Sequence, residues 1–344
     1  MNELNPEPMF EIAEFASFEL FSPVVDETVW FFRDLLGMIE THRDGKSVYL
    51  RGYEDPYKHT LKITERKDAG MGFAGWRAMS AQALQRRVKA IEASGLGRGW
   101  VDGEVGHGPA YEFTTPDGAV QRLNFEVEYY EAPEDQKSVV LNRVQRRPIH
   151  GIPIKKLDHL NLLAGNVTDN KRFVSDVLGF KLSEHIMFDN NVEAGAWLRL
   201  QTRSHDLAFT KDAQGAGGRL HHVAFHLGTT QHLQDAADVL TDYGLEIEAG
   251  PSHHGISQAE FLYVFEPGGN RIELVGQIGY DVHDPTFRPI TWRNDNNLDR
   301  GIIWYGGQLP PEFDTYGTPN FQPTGYRTPN RYIQAEVNQL FGKN

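Results

Sequence analysis

The hydrophobic and polar positions of this chain follow two periods, and the pair of periods recurs. Ser17-Phe18-Glu19-Leu20 leads to Phe31-Phe32-Arg33-Asp34-Leu35-Leu36-Gly37-Met38. His159-Leu160-Asn161-Leu162 leads to Phe173-Val174-Ser175-Asp176-Val177-Leu178-Gly179-Phe180 at the same spacing, with no gap. In each, an apolar-rich strand runs into a helix that ends at Leu-Gly and an apolar residue. The Gly supplies the positive φ that a helix C-cap wants. A second match pairs Thr115-Pro116-Asp117-Gly118 with Glu266-Pro267-Gly268-Gly269, each a tight turn between two strands. Between these landmarks a second amphipathic helix is predicted in each half, near Ala81–Ala93 and near Thr230–Tyr243. Each half therefore reads β-α-β-β-β twice over.

The expected fold is α+β, with two domains of two βαβββ modules each, over residues 1–145 and 146–344. The connection, Tyr129 to Ile154, is polar and punctuated by Pro133 and Pro148. After Gly276 comes a tail rich in Pro, Gly, Asp and aromatics, including Trp304-Tyr305 and Pro310-Pro311. Its aromatic content argues for an ordered cover over the second half.

Composition narrows the function. With 344 residues and 40% apolar content, the chain can bury a sizeable core. A net charge of −13 argues against nucleic acid or an anionic membrane as partner. No Cys is present, which excludes disulfides, thiolate catalysis and Cys-ligated zinc or iron–sulfur sites. The first residues carry neither a basic region nor an apolar run, and no stretch approaches about 18 apolar residues, so a cytoplasmic protein is expected.

Three predicted strands contain polar residues where apolar ones belong. They are Leu157-Asp158-His159-Leu160-Asn161, Leu220-His221-His222-Val223-Ala224-Phe225 and Asn270-Arg271-Ile272-Glu273-Leu274. Buried polar groups are costly unless something satisfies them. A divalent metal would satisfy an imidazole, a second imidazole and a carboxylate at once. That set leaves one face of an octahedron open, as in non-haem Fe(II) sites that bind substrate and O2 together. Adjacent strand residues face opposite ways, so only one of His221 and His222 can ligate, and the residues alone leave the choice open. The repeat sharpens the case. In the first copy Ser17 takes the place of His159, Gly75 or Trp76 falls near that of His222, and Asn124 near that of Glu273. A requirement of the fold would appear in both copies; a duplicated scaffold with one live site explains one copy. The other histidines (His42, His59, His107, His150, His185, His226, His232, His253 and His283) read as structural or surface residues.

These segments resemble the type I extradiol ring-cleaving dioxygenases of the vicinal oxygen chelate superfamily, most nearly the catechol 2,3-dioxygenases. Gly250-Pro251-Ser252-His253-His254-Gly255 and Phe261-Leu262-Tyr263-Val264-Phe265 extend the match. It covers most of the chain and is more specific in the second half. The resemblance implies that His159, His222 and Glu273 hold the metal, Fe(II) with Mn(II) as the alternative. His221 then points away into structure or solvent. It makes His205 the distal acid/base, with Trp197 lining the same side of the pocket. His254 and Tyr263 become partners of the substrate oxygens, and Asn161 lies beside O2.

The implied reaction is extradiol cleavage of catechol, or of neutral alkyl- or chlorocatechols, by O2 to 2-hydroxymuconic semialdehydes in aromatic degradation. A homotetramer is implied as well. Relatives that accept a carboxylate-bearing catechol place Arg at positions that read Ala249 and Asp299-Arg300 here, so neutral rings are expected. Three other readings stand beside this one. They are a bulkier diol such as 2,3-dihydroxybiphenyl, an Fe(II) dioxygenase of 4-hydroxyphenylpyruvate, and a metal-free small-molecule-binding module. The filled triad argues against the last. The register of His205, His254 and Tyr263 argues against the 4-hydroxyphenylpyruvate enzyme.

Overall fold

The computed structural model describes residues 10–295 and 297–320. The first half supplies β1 (Ile12–Ser22), β2 (Ile39–Asp44), β3 (Ser47–Arg51), β4 (Leu61–Glu65), β5 (Gly70–Ala78), β6 (Gly97–Val101), β7 (Ala110–Thr114) and β8 (Val120–Asn124). The second supplies β9 (Lys156–Ala164), β10 (Lys181–Met187), β11 (Glu193–Arg199), β12 (Leu207–Lys211), β13 (Arg219–His226), β14 (Ile247–His253), β15 (Ala259–Phe265) and β16 (Arg271–Ile278). A further strand, β17 (Ile290–Arg293), comes from the tail.

Two sheets result, in the orders β2-β3-β4-β1-β5-β8-β7-β6 and β14-β15-β16-β13-β9-β12-β11-β10-β17. Four copies of one module account for both. In each, the first strand lies parallel to the fourth: β1 with β4, β5 with β8, β9 with β12, β13 with β16. Within a half, the modules join by antiparallel pairing of their first strands, β1 with β5 and β9 with β13. The duplicated βαβββ pattern expected from the sequence is what forms.

Helices α1 (Val25–Trp30), α2 (Ala81–Ser94), α3 (Val167–Phe173) and α4 (Thr230–Asp242) link the first two strands of successive modules. The two landmark repeats are α1 and α3. Each runs on through a π-helical turn and stops at a Gly with positive φ, Gly37 at 60° and Gly179 at 85°. Ser80 and Thr229 cap α2 and α4 by accepting from the backbone N–H three residues on. The fifth helix, α5 (Leu298–Ile302), is a short turn of the tail.

One hydrophobic core runs through both halves. Phe32 of the first half meets Phe225 of the second edge to face at 5.4 Å, and Trp76 meets Phe180 at 5.1 Å. The paired tight turns reach across in the same sense. Asp117 Oδ2 accepts from Gly165 N and Asn170 Nδ2, at 2.9 and 2.6 Å. Glu266 Oε2 accepts from Thr28 Oγ1 at 2.6 Å. Thr28 and Asn170 are equivalent positions of the repeat, each eleven residues past Ser17 or His159. Each half's hairpin thus docks on the other half's first helix.

The tail lies on the second half, as its aromatics predicted. β17 adds a parallel edge to β10, and buried Glu184 accepts from Trp292 Nε1 and Tyr280 Oη at 2.7 and 2.8 Å. Farther on, the Arg219 guanidinium donates to Gly317 O at 3.0 Å, and Leu220 pairs with Thr318. The part of the expected cover beyond residue 320 lies outside the described residues.

Candidate metal centre and active site

Strands β9, β13 and β16 are neighbours at the centre of the second sheet and carry His159, His222 and Glu273. Their register sets His222 opposite Asn161 and Ala224 opposite Glu273. The side chains converge: His159 Nε2 and His222 Nε2 each lie 2.9 Å from Glu273 Oε2, and 3.3 Å from one another. None is more than 3% exposed. One ligand atom from each lies within 4.8 Å of the others. His159 Nδ1–H donates to Asp158 Oδ2 at 2.8 Å, and Asp158 is held by Arg203 at 2.6 Å. A carboxylate on Nδ1 leaves the Nε2 lone pair directed inward, the usual backing of a metal-ligating histidine. Two imidazole nitrogens and a carboxylate, dry and convergent, fit a divalent first-row metal.

Without metal, these groups share protons. Burial disfavours the charged form of His159, but the Glu273 and Asp158 carboxylates outweigh it and lift the imidazole to about 9. Burial brings His222 down to about 4 against the pull of Glu273. Burial opposes ionisation of Glu273 too, yet the two imidazoles hold it well below the usual carboxylate range. At neutral pH the metal-free site is therefore expected to hold one displaceable proton, shared between His159 and Glu273. Between pH 5 and 8, affinity is expected to fall about tenfold for each unit of acidification, one proton's worth. A Mn(II) titration followed by the signal of the free ion measures it; a flat profile would show that the site holds no such proton.

His221 points into structure, one of the two directions implied for it, and is absent from the cavity wall. It nevertheless touches the neighbouring histidine, with its Nδ1 2.7 Å from His222 Nδ1. The reason is a bulge: Leu220 faces Leu162, but His222 faces Asn161, so two residues of β13 advance against one of β9. Its other nitrogen, Nε2, donates to Phe313 O in the tail at 2.9 Å.

All eight residues singled out in the sequence line one cavity of about 400 Å³. On one side His205, in the loop before β12, sets its ring 4.3 Å from that of His159. Burial, with His159 and Arg203 nearby, holds His205 well below the usual imidazole range. On the other side Tyr263 Oη donates to His254 Nε2 at 3.1 Å, while His254 Nδ1–H donates to Ile302 O in α5. Burial lowers His254, and burial with Glu273 nearby raises the Tyr263 phenol well above its ordinary value. Asn161 exchanges hydrogen bonds with Thr210, and Trp197 projects from β11.

The remaining walls are largely apolar, with Ile186, Phe188, Ile256 and Leu309 among them. Asp299 and Arg300 are exposed and do not line the cavity; Arg300 faces a neighbouring surface groove. Apart from the triad, the charged side chains at the cavity are Lys211 and Asp314, which sequence reading had not singled out. Ala249 faces Tyr263 across the sheet and packs against the cluster of Phe261, Tyr263 and Phe313.

The first half keeps an image of this pocket. The pairing of β1 with β4 matches that of β9 with β12, placing Lys62 where Ala208 lies and His59 where His205 lies. His59 is fully buried, against His107 at 4.6 Å, not a surface residue. Thr64 donates to Glu19 as Thr210 does to Asn161. Lys62 spans the space with Glu104 at 2.7 Å and Glu19 at 3.2 Å. With Ser17, Gly75 and Asn124 at the ligand places, no metal-binding group of three forms there among the described residues.

Comparison with known proteins agrees with this geometry. Residues 156–274 match the glyoxalase/bleomycin resistance protein/dioxygenase superfamily. The sequence is 48% identical to a metapyrocatechase of Geobacillus stearothermophilus, over 91% of this chain and 95% of that one. It is 36% identical to a manganese-dependent 2,3-dihydroxybiphenyl 1,2-dioxygenase of Geobacillus genomosp. 3, over 88% and 96%. The solved homoprotocatechuate 2,3-dioxygenase of Brevibacterium fuscum, in complex with 3,4-dihydroxyphenylacetate, superposes with a TM-score of 0.78. The two are 26% identical, with 91% of this chain and 95% of that one covered. Sharing nearly half its residues with a metapyrocatechase along almost the whole of both, this chain belongs to the extradiol ring-cleaving dioxygenases.

Proposed function

We propose that the protein cleaves catechol, or a neutral alkyl- or chlorocatechol, with O2 beside the diol, giving a 2-hydroxymuconic semialdehyde. The observation that supports this most is one cavity in which a two-His, one-carboxylate triad lies between His205 on one side and the His254–Tyr263 pair on the other. His159, His222 and Glu273 would hold Fe(II), with Mn(II) the alternative. Such a metal supplies Lewis acidity for the diol oxygens and a path for electrons from ring to O2.

The protein's own groups supply proton traffic. His254 presents a bare Nε2, because its Nδ1–H is committed to Ile302 O. Tyr263 donates to that nitrogen, so a diol proton can pass toward His254 through the Tyr263 hydroxyl. On the opposite side, neutral His205 has one N–H to direct at the charge that grows on O2. Trp197 and the apolar wall orient the ring and exclude water, and Asn161 lies beside the O2 position. Residues 1–145 would then be scaffold and residues 146–344 the catalytic domain. The homotetramer implied by the resemblance and the cytoplasmic location expected from the sequence belong to the same proposal.

The test is oxygen uptake with catechol by the metal-loaded protein, with the ring-opened product identified by mass spectrometry. No uptake by protein carrying its metal sinks the reading. Substrate charge gives a sharper check. Outside the triad the cavity holds one cationic side chain, Lys211, beside one acidic one, Asp314, and Ala249, which does not reach the cavity wall, offers no cation. A carboxylate leaving water there would be poorly compensated. The expected kcat/KM for 3- or 4-methylcatechol exceeds that for homoprotocatechuate, and the reverse order would refute this reading of the walls. The cavity is larger than one ring requires, so 2,3-dihydroxybiphenyl is the second reading, ranked by the same kcat/KM series.

A further inference from the structure

We infer that His221 is a positioning residue: seated on the backbone carbonyl of Phe313, it fixes the tautomer of His222 and ties the covering tail to the metal centre. This rests on the reading of His222 as a ligand.

The argument is proton bookkeeping. A carbonyl oxygen only accepts, so the 2.9 Å contact with Phe313 O puts a proton on His221 Nε2. A neutral imidazole with Nε2–H carries its lone pair on Nδ1. That lone pair faces His222 Nδ1 at 2.7 Å, a contact that needs one proton between the two nitrogens. The proton must be His222's. His222 Nε2 is then left without a proton of its own, and its 2.9 and 3.3 Å approaches to Glu273 Oε2 and His159 Nε2 are those of donor atoms converging on the place a metal would take.

The two ligand histidines are thus set by different means. His159 is backed by a charged carboxylate on its own strand, His222 by a neutral relay ending ninety-one residues farther along the chain, at Phe313. The far end of the relay is firmly seated. The Phe313 ring packs on His221 at 4.7 Å and on Tyr263 at 4.8 Å, and the Arg271 guanidinium lies 4.6 Å over it. Arg271 also donates to Tyr316 O at 3.0 Å. The tail uses the same device once more, where Ile302 O fixes His254.

The test compares His221→Phe with His221→Gln in the full chain, reading the Mn(II) dissociation constant by chelator competition. Phe fills the space but offers no acceptor; Gln can donate to the carbonyl and accept from His222 Nδ1–H. His221→Phe is expected to bind Mn(II) about 10–100-fold more weakly, the usual loss when the group behind a ligand is removed. His221→Gln should recover most of that loss. Unchanged binding in His221→Phe, or equal losses in the two variants, would overturn the inference. Should His221→Phe fail to fold, nitrogen NMR of 15N-histidine-labelled wild-type chain, metal-free and Zn(II)-loaded, decides. The proton is expected on Nε2 of His221 and on Nδ1 of His222; a bare Nε2 on His221 refutes the relay. A folded wild type that binds neither metal would instead refute the metal reading, leaving the metal-free spectrum to judge the tautomer.

Discussion

His159→Ala is expected to abolish both metal binding and ring cleavage, the largest effect of any single change at this site. The wild-type chain should carry about one metal equivalent, and the variant nearly none, because two ligands do not complete a site that needs three. Ser17→Ala is the control. Ser17 stands at the equivalent place in the first half, where no group of three ligands forms among the described residues, so metal content and activity should both be kept. Elemental analysis and oxygen uptake read the two quantities separately. Two equivalents in the wild type would sink the idea of one live site on a duplicated scaffold. Full metal content in His159→Ala would remove His159 from the ligand set.

His205→Phe should separate metal binding from catalysis. The residue is 5% exposed, and its ring lies 4.3 Å from that of His159. Its one described hydrogen-bond partner is Ser204 Oγ, at 3.2 Å from Nδ1. A phenyl ring of similar size can occupy the space but has no proton to give. Metal content and catechol binding should survive, while kcat falls about 10²–10⁴-fold, the range of a general acid–base group. Loss of metal in this variant would mean that His205 ligates, and the assignment of roles would have to be redrawn.

What the chain disclosed by itself divides along physical lines. His159, His222 and Glu273 stood out because a polar side chain in an apolar strand is conspicuous, and burial makes it expensive. The βαβββ repeat was legible because helix and strand periods alternate at a fixed spacing, with Leu-Gly stops at the same offset. His205 was a different case. A polar residue in a polar loop carries no signal of its own, and only family register pointed to it. The same blindness let His59 pass as ordinary, although strand pairing sets it in the place of His205. The bulge at His221 was hidden because one extra residue in a strand leaves the apolar pattern of β13 intact. Backbone carbonyls were hidden more completely. Ile302 and Phe313 hold His254 and His221 through oxygens that every residue type possesses. The tail misled the charge argument as well: it has no period to fix its path, and Asp299 and Arg300 turn outward while Lys211 and Asp314 stand at the cavity.

The crossed hairpins at Asp117 and Glu266 bear on why the two halves stay together. Asp117 steadies the helix that follows the strand of His159, and Glu266 steadies its counterpart in the first half. Cut between the halves, the catalytic piece would present Phe180 and Phe225 to water, and Asn170 would lose the carboxylate it grips. Neither half could be removed without unroofing the other, because each forms a wall of its neighbour. Packing across the seam is what binds the pair.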